Sequence, residues 1–163
     1  LRNGTSEFAL GFGCTAEWAG TAIGAGGIVV EAPDEIVDAL DNYPARYILN
    51  RVSLEKGIPL FHGAIRGMYG QATTIIPGKT PCLACIFPRA PPNEEFPVVG
   101  VTPGLIGMVQ ATEVIKFLLG EGELLAGRLF LWDGLQCQAT EICVERNPSC
   151  GECGGGGGKR RKR

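Results

Sequence analysis

The sequence predicts an α/β protein, with α+β as the alternative, having a parallel portion at the front and an antiparallel portion at the back. Three observations carry this reading. Short apolar or β-branched runs alternate with two long helix-period segments. The last two strand-like runs, Arg128 to Trp132 and Gln138 to Val144, are joined through Asp133-Gly134, a hairpin signal. Two C-x-x-C pairs, Cys82 with Cys85 and Cys150 with Cys153, give the back portion a candidate clasp.

The elements follow in chain order. Residues 1–19 show no clean period and receive no role. Thr21 to Val30 reads as a strand entering a glycine turn, and Glu35 to Leu40 as a short apolar strand ending at Asp41. Tyr43 to Lys56 reads as a helix, since Pro44 suits its first turn and Gly57 its end. Ile58 to His62 is the next apolar strand. Gly67 and Gly70 bracket a turn, Gln71 to Ile76 is a β-branched strand, and Pro77-Gly78 closes it. The proline-rich stretch 88–97 excludes a regular helix or a central strand. The second helix starts with Thr102 as N-cap and Pro103 as its first residue. It runs along a broad apolar face to Gly120.

A chain of 163 residues is one domain by default and buries a core without disulfides. Its net charge of -2 is uneven: the last five residues are all basic, which leaves -7 on the other 158. Such a basic end behind the glycine run 154–158 reads as a solvated tail, 154–163, rather than a nucleic-acid-binding fold. No apolar run is long enough for a membrane span, and the first residues lack a secretory pattern. The expected compartment is the cytoplasm, where paired cysteines favour metal or catalysis over disulfides.

Three constellations could carry chemistry. The cysteine pairs each present two thiolates from one turn, and two such turns make the tetrahedral sulfur cage of a structural Zn2+. Their rival is a redox C-x-x-C. The second constellation is Asp38-Ala-Leu-Asp41-Asn42, with Arg46 beyond it. A carboxylate where a strand gives way to a helix can hold Mg2+ on nucleotide phosphates. The alternative is that Asp41 or Asn42 caps the helix while Arg46 makes a helix-surface ion pair. The third is Gly24-Ala-Gly26-Gly27, either a phosphate-binding turn or simply a turn. His62, with no evident carboxylate partner in sequence, is expected to be structural. Cys137 and Cys143 are expected to pack as small apolar residues in or beside a strand.

These motifs, taken in order, resemble the ubiquitin-activating-enzyme superfamily over residues 20–153. The nearest branch activates sulfur-carrier proteins for molybdopterin and thiamin synthesis. Asp38 to Asn50 resembles its aspartate–asparagine motif, Gly67 to Gln71 its strand turn, and Gly100 to Lys116 its long helix. Cys82, Cys85, Cys150 and Cys153 match its zinc pairs. The resemblance implies a Rossmann-like sheet, usually dimerised. It also implies an adenylyltransferase that uses ATP and Mg2+ on the C-terminal Gly-Gly of a small ubiquitin-like carrier. Asp41 then stands at the catalytic, metal- and phosphate-binding position, and Gly24, Gly26, Gly27 and Asn42 at nucleotide-binding ones.

The sequence departs from the pattern in its front half. Gly27 and Asp38 are only 11 positions apart, where the family has a much longer stretch. The acidic ribose ligand, the arginine beside an asparagine and the lysine of that stretch find no match. The N-terminal ATP-binding part is therefore expected to be largely missing, making 20–153 a truncated adenylation-type domain. The stretch Glu95 to Gly100 carries no cysteine, which speaks against thioester- or persulfide-forming branches. Two readings stay open: an impaired adenylyltransferase, and a non-catalytic zinc-stabilised module for docking or dimerisation.

Overall fold

The computed structural model describes residues 34–90 and 97–154, together with the backbone of 23–24 and 27–28. Seven strands and three helices follow one another among these residues. They are β1 (Ile23–Gly24), β2 (Gly27–Ile28), β3 (Ile36–Val37), α1 (Tyr43–Lys56), β4 (Leu60–Arg66), β5 (Tyr69–Ile75), α2 (Leu83–Ile86), α3 (Val101–Leu119), β6 (Arg128–Asp133) and β7 (Gln138–Cys143). β1 and β2 form an antiparallel two-stranded ladder of their own, and the other five strands make one sheet in chain order. β3 and β4 are parallel, with Ile36 opposite Leu60. Every later pair is antiparallel. A parallel front and an antiparallel back are what the sequence predicts.

Local chemistry explains most boundaries. Asn42 caps α1 by accepting the Ala45 N–H at 2.9 Å, and Gly57 ends it at φ 71°. The turn between β4 and β5 is tighter than the glycines 67 and 70 suggest. Arg66 pairs with Tyr69, leaving only Gly67-Met68 in the loop, and Gly67 takes the required positive φ of 60°. Thr102 is not the N-cap of α3. Gly100 already has helical angles and the Thr102 N–H bonds Val99 O at 2.9 Å, so the turn begins earlier. Thr102 is buried within the first turn instead.

The β4–β5 part of the sheet is covered on both faces. On one, α3 crosses β4 and β5 and buries Ile106 against Ala72 and Leu125. This approach requires glycine in the strands. A Cβ on Gly70 would sit 2.5 Å from Ile106 Cγ1, and one on Gly63 would sit 2.4 Å from Gln110 Cδ. Gln110 uses that space to donate to Asp38 O and Phe61 O, both at 2.9 Å. The buried Glu113 ties α3 to β5 and to the approach of β6, accepting from Thr74 Oγ1 and Leu125 N at 2.6 Å. On the opposite face α1 and α2 enclose Ile36, Leu60, Ile75, Leu83, Cys82 and Cys153. Among the described residues no helix is long and apolar enough to cross a membrane.

Gly63→Ala should destabilise the fold by about 1–3 kcal/mol, because the new methyl displaces Gln110 from two buried carbonyls. Urea unfolding of the wild type and variant measures this. An unchanged midpoint would show that α3 does not depend on that approach.

Candidate functional site

The site grows from the end of β3, where the chain must turn into α1. Asp38 is the last residue before the turn and is almost fully buried. A buried carboxylate needs its lone pairs filled. It accepts from Arg46 Nε at 3.1 Å and the Leu40 N–H at 3.0 Å, and its Oδ2 meets His62 Nδ1 at 2.6 Å. Arg46 also donates through Nη2 to Leu40 O and to Gly63 O, and its guanidinium lies 5.2 Å from the centre of the Tyr43 ring. Arg46 is therefore no surface ion pair; it is a buried cation pinning α1 to the end of β3. His62 is fully buried and, against the expectation from sequence, does have a carboxylate partner, 24 residues away. On its other side Nε2 meets Gln71 Nε2 at 3.2 Å, and the same amide nitrogen donates to Tyr43 Oη at 3.2 Å.

Above this buried group opens a cleft of about 820 Å³. Asp41, Asn42, Tyr43 and Arg46 line it from the α1 side, Arg66 and Gln71 from β4 and β5, and Asp133 and Thr140 from β6 and β7. Asp41 is exposed at this rim, with Oδ1 accepting from Asn42 Nδ2 at 2.9 Å. Asn42 caps the helix, as one reading of that motif has it, and also lines the cleft. Gly24 and Gly27 lie in the β1–β2 ladder, apart from the main sheet. Gly26 lies outside the described residues.

The four paired cysteines converge beside α1. Their sulfurs all lie within 4.8 Å of one another. Cys82 and Cys150 are 3.8 Å apart, Cys82 and Cys85 3.9 Å, and Cys85 and Cys153 3.3 Å. Sulfurs on a tetrahedron with bonds of about 2.3 Å stand roughly 3.8 Å apart, so the donor set fits one metal ion. Burial pushes the Cys82 and Cys85 thiols up. Burial also opposes ionisation of Cys150, but hydrogen bonds from the Cys153 and Glu152 backbone and from the Cys85 and Cys82 side chains together outweigh it and lower that thiol to about 7. The second knuckle is closed by main-chain bonds, Cys150 N to Asn147 O at 3.0 Å and Gly154 N to Cys150 O at 2.8 Å. Gly154 has no room for a side chain: a Cβ there would meet Pro148 O at 2.4 Å. Arg146 braces the knuckle by donating to Gly78 O and Cys153 O.

Two expectations about the spare cysteines are corrected. Cys137 and Cys143 do not pack as apolar residues; both are exposed. Cys137 sits in the β6–β7 loop with φ 52°, and every residue of β7 faces solvent.

The chain belongs to the ThiF family, whose model matches residues 22–152. It is 47% identical over 135 residues to the SAMP-activating enzyme E1 of Haloferax volcanii, covering 79% of this chain and 50% of that protein. It is 40% identical over 132 residues to the sulfur carrier protein adenylyltransferase of Thermus thermophilus, covering 74% of this chain and 49% of that one. The chain thus spans about half the length of these curated relatives. Its fold is similar to that of E. coli MccB solved with MccA-N7isoASN, at a TM-score of 0.66 and 19% identity, covering 77% of this chain and 42% of that one.

Asn42→Ala should cost about 1 kcal/mol through loss of the cap, and Asn42→Asp should retain most of it. Thermal unfolding of the three proteins tests this; equal loss in both variants would place the role of Asn42 elsewhere.

Proposed function

We propose that this chain serves ATP-dependent adenylation of the C-terminal Gly-Gly of a small ubiquitin-like sulfur-carrier protein. The observation that carries the proposal is the placement of Asp41. Its exposed carboxylate stands at the rim of a cleft large enough for an extended ligand, just past the C-terminal end of a parallel strand. Family membership and the names of the relatives support the same reading. The carboxylate is an oxygen donor of the kind Mg2+ takes, and a magnesium ion there would neutralise charge on ATP phosphates.

Catalysis by this chain alone should be weak. Adenylation needs cations that offset the charge developing on the pyrophosphate leaving group. The two arginines of the cleft are already committed. Arg46 is held by Asp38, Leu40 O and Gly63 O, and Arg66 has an interaction of its own. Each absent electrostatic group costs on the order of a hundredfold in rate. ATP–pyrophosphate exchange with a Gly-Gly carrier should therefore be slow or undetectable. Rapid exchange that disappears in Asp41→Ala would overturn the impairment while upholding the site. The second reading, a non-catalytic docking module, gains from the same committed arginines.

For the four cysteines we propose a structural zinc. All four tetrahedral positions are filled by sulfur, which leaves none for water or substrate. One zinc per chain is expected in the purified protein. Its removal by a chelator, or the substitution Cys82→Ser, should lower the melting temperature markedly, since the metal joins segments 68 residues apart. Substoichiometric metal with an unchanged melting temperature would contradict the assignment.

A further inference from the structure

Gln71 lies between a buried charge system and the open cleft, and the chemistry beneath it decides which way its amide faces. Asp38 accepts from Arg46 and from the Leu40 N–H, so it acts as an ionised carboxylate. The His62 Nδ1 that meets Asp38 at 2.6 Å must then be the ring nitrogen that carries hydrogen. Arg46 already balances the one negative charge. A second cation on His62, which is fully buried, would leave a net positive charge without solvent. His62 is accordingly the neutral Nδ1–H tautomer, and its Nε2 can only accept. The group facing Nε2 has to be a donor, which places the Gln71 amide nitrogen there. The second hydrogen of that nitrogen goes to Tyr43 Oη. Both hydrogens are thus spent inward, and the Gln71 Oε1 takes no part in this chain of bonds.

We infer that Gln71 is a specificity-determining residue of the cleft, its carbonyl Oε1 held outward as an acceptor for a peptide N–H of the bound tail. The inference rests on the proposed carrier reading for the identity of the ligand. It adds a chemical rule: at this point the cleft selects a hydrogen-bond donor and disfavours an acceptor. Asp38 and His62 act here as positioning residues, since they set the amide from beneath the cleft, while Tyr43, which lines the cleft, takes the second amide hydrogen.

Two measurements test this. His62 is the only histidine in the chain, so nitrogen-15 NMR of the histidine side chain reads one ring without ambiguity. A neutral ring with its hydrogen on Nδ1 is expected at neutral pH. A doubly protonated ring, or hydrogen on Nε2, would turn the amide round and overturn the inference. The second measurement titrates a synthetic peptide ending in Gly-Gly, and analogues in which one backbone amide is replaced by an ester, into wild type and Gln71→Met. One analogue should lose on the order of fivefold to tenfold in affinity for wild type, and that loss should vanish in Gln71→Met. Ester losses equal in both proteins would overturn the role of Gln71 alone. Failure of the parent peptide to bind wild type would remove the carrier reading and this inference with it.

Discussion

The Asp38 carboxylate is the group around which the rest of the structure is arranged. A charge with almost no solvent access is tolerated only when its partners are complete. Here the partners come from three places: Arg46 on α1, His62 on β4, and the Leu40 N–H of the turn between β3 and α1. The main-chain oxygen of the same residue is held by Gln110 from α3, on the other face of the sheet. A two-residue parallel strand at the sheet edge has little ladder of its own to hold it. These side-chain bonds fix the exit direction of β3, and with it the position of Asp41 and Asn42 three and four residues on.

A second constraint acts through the cysteine end. α2 begins at Cys82, and Asn50 of α1 receives the Leu83 N–H at 2.8 Å. The residue that ends α2, Phe87, accepts the Tyr47 hydroxyl at 2.6 Å and packs against the rings of Tyr43 and His62. Phe87 also lines the cleft. Order at the sulfur cluster is therefore passed through one short helix to the wall of the ligand site.

What the sequence reveals depends on the range of the interaction. α1 is legible to the residue because both its signals are local, Asn42 and Pro44 at one end and Gly57 at the other. The cysteine pairs are legible because C-x-x-C is a local pattern with a known use, although their convergence across 68 residues is settled only by the fold. The Asp38–His62–Gln71 chain is not legible in the same way. Its members are joined by the β3–β4 and β4–β5 registers, and neither the residue types nor the spacing marks them in advance. Arg46 misleads for a related reason: on a helix, eight residues past a carboxylate, it looks like a surface charge until the strand end folds over it. Thr102 shows the limit of a local rule, since a glycine in helical conformation starts the turn before the residue with the better capping side chain.

The central claim is that Asp38 and Arg46 form one buried unit that sets the cleft. A double-mutant cycle on Asp38→Asn and Arg46→Met, followed by urea unfolding, measures it most directly. Removing either partner strands the other, so each single change should cost about 3–5 kcal/mol. The double variant should cost less than the two together by about 2 kcal/mol or more, because no unpaired charge remains. Additive single costs would contradict the account, showing that the two residues act independently and that the end of β3 is held by something else.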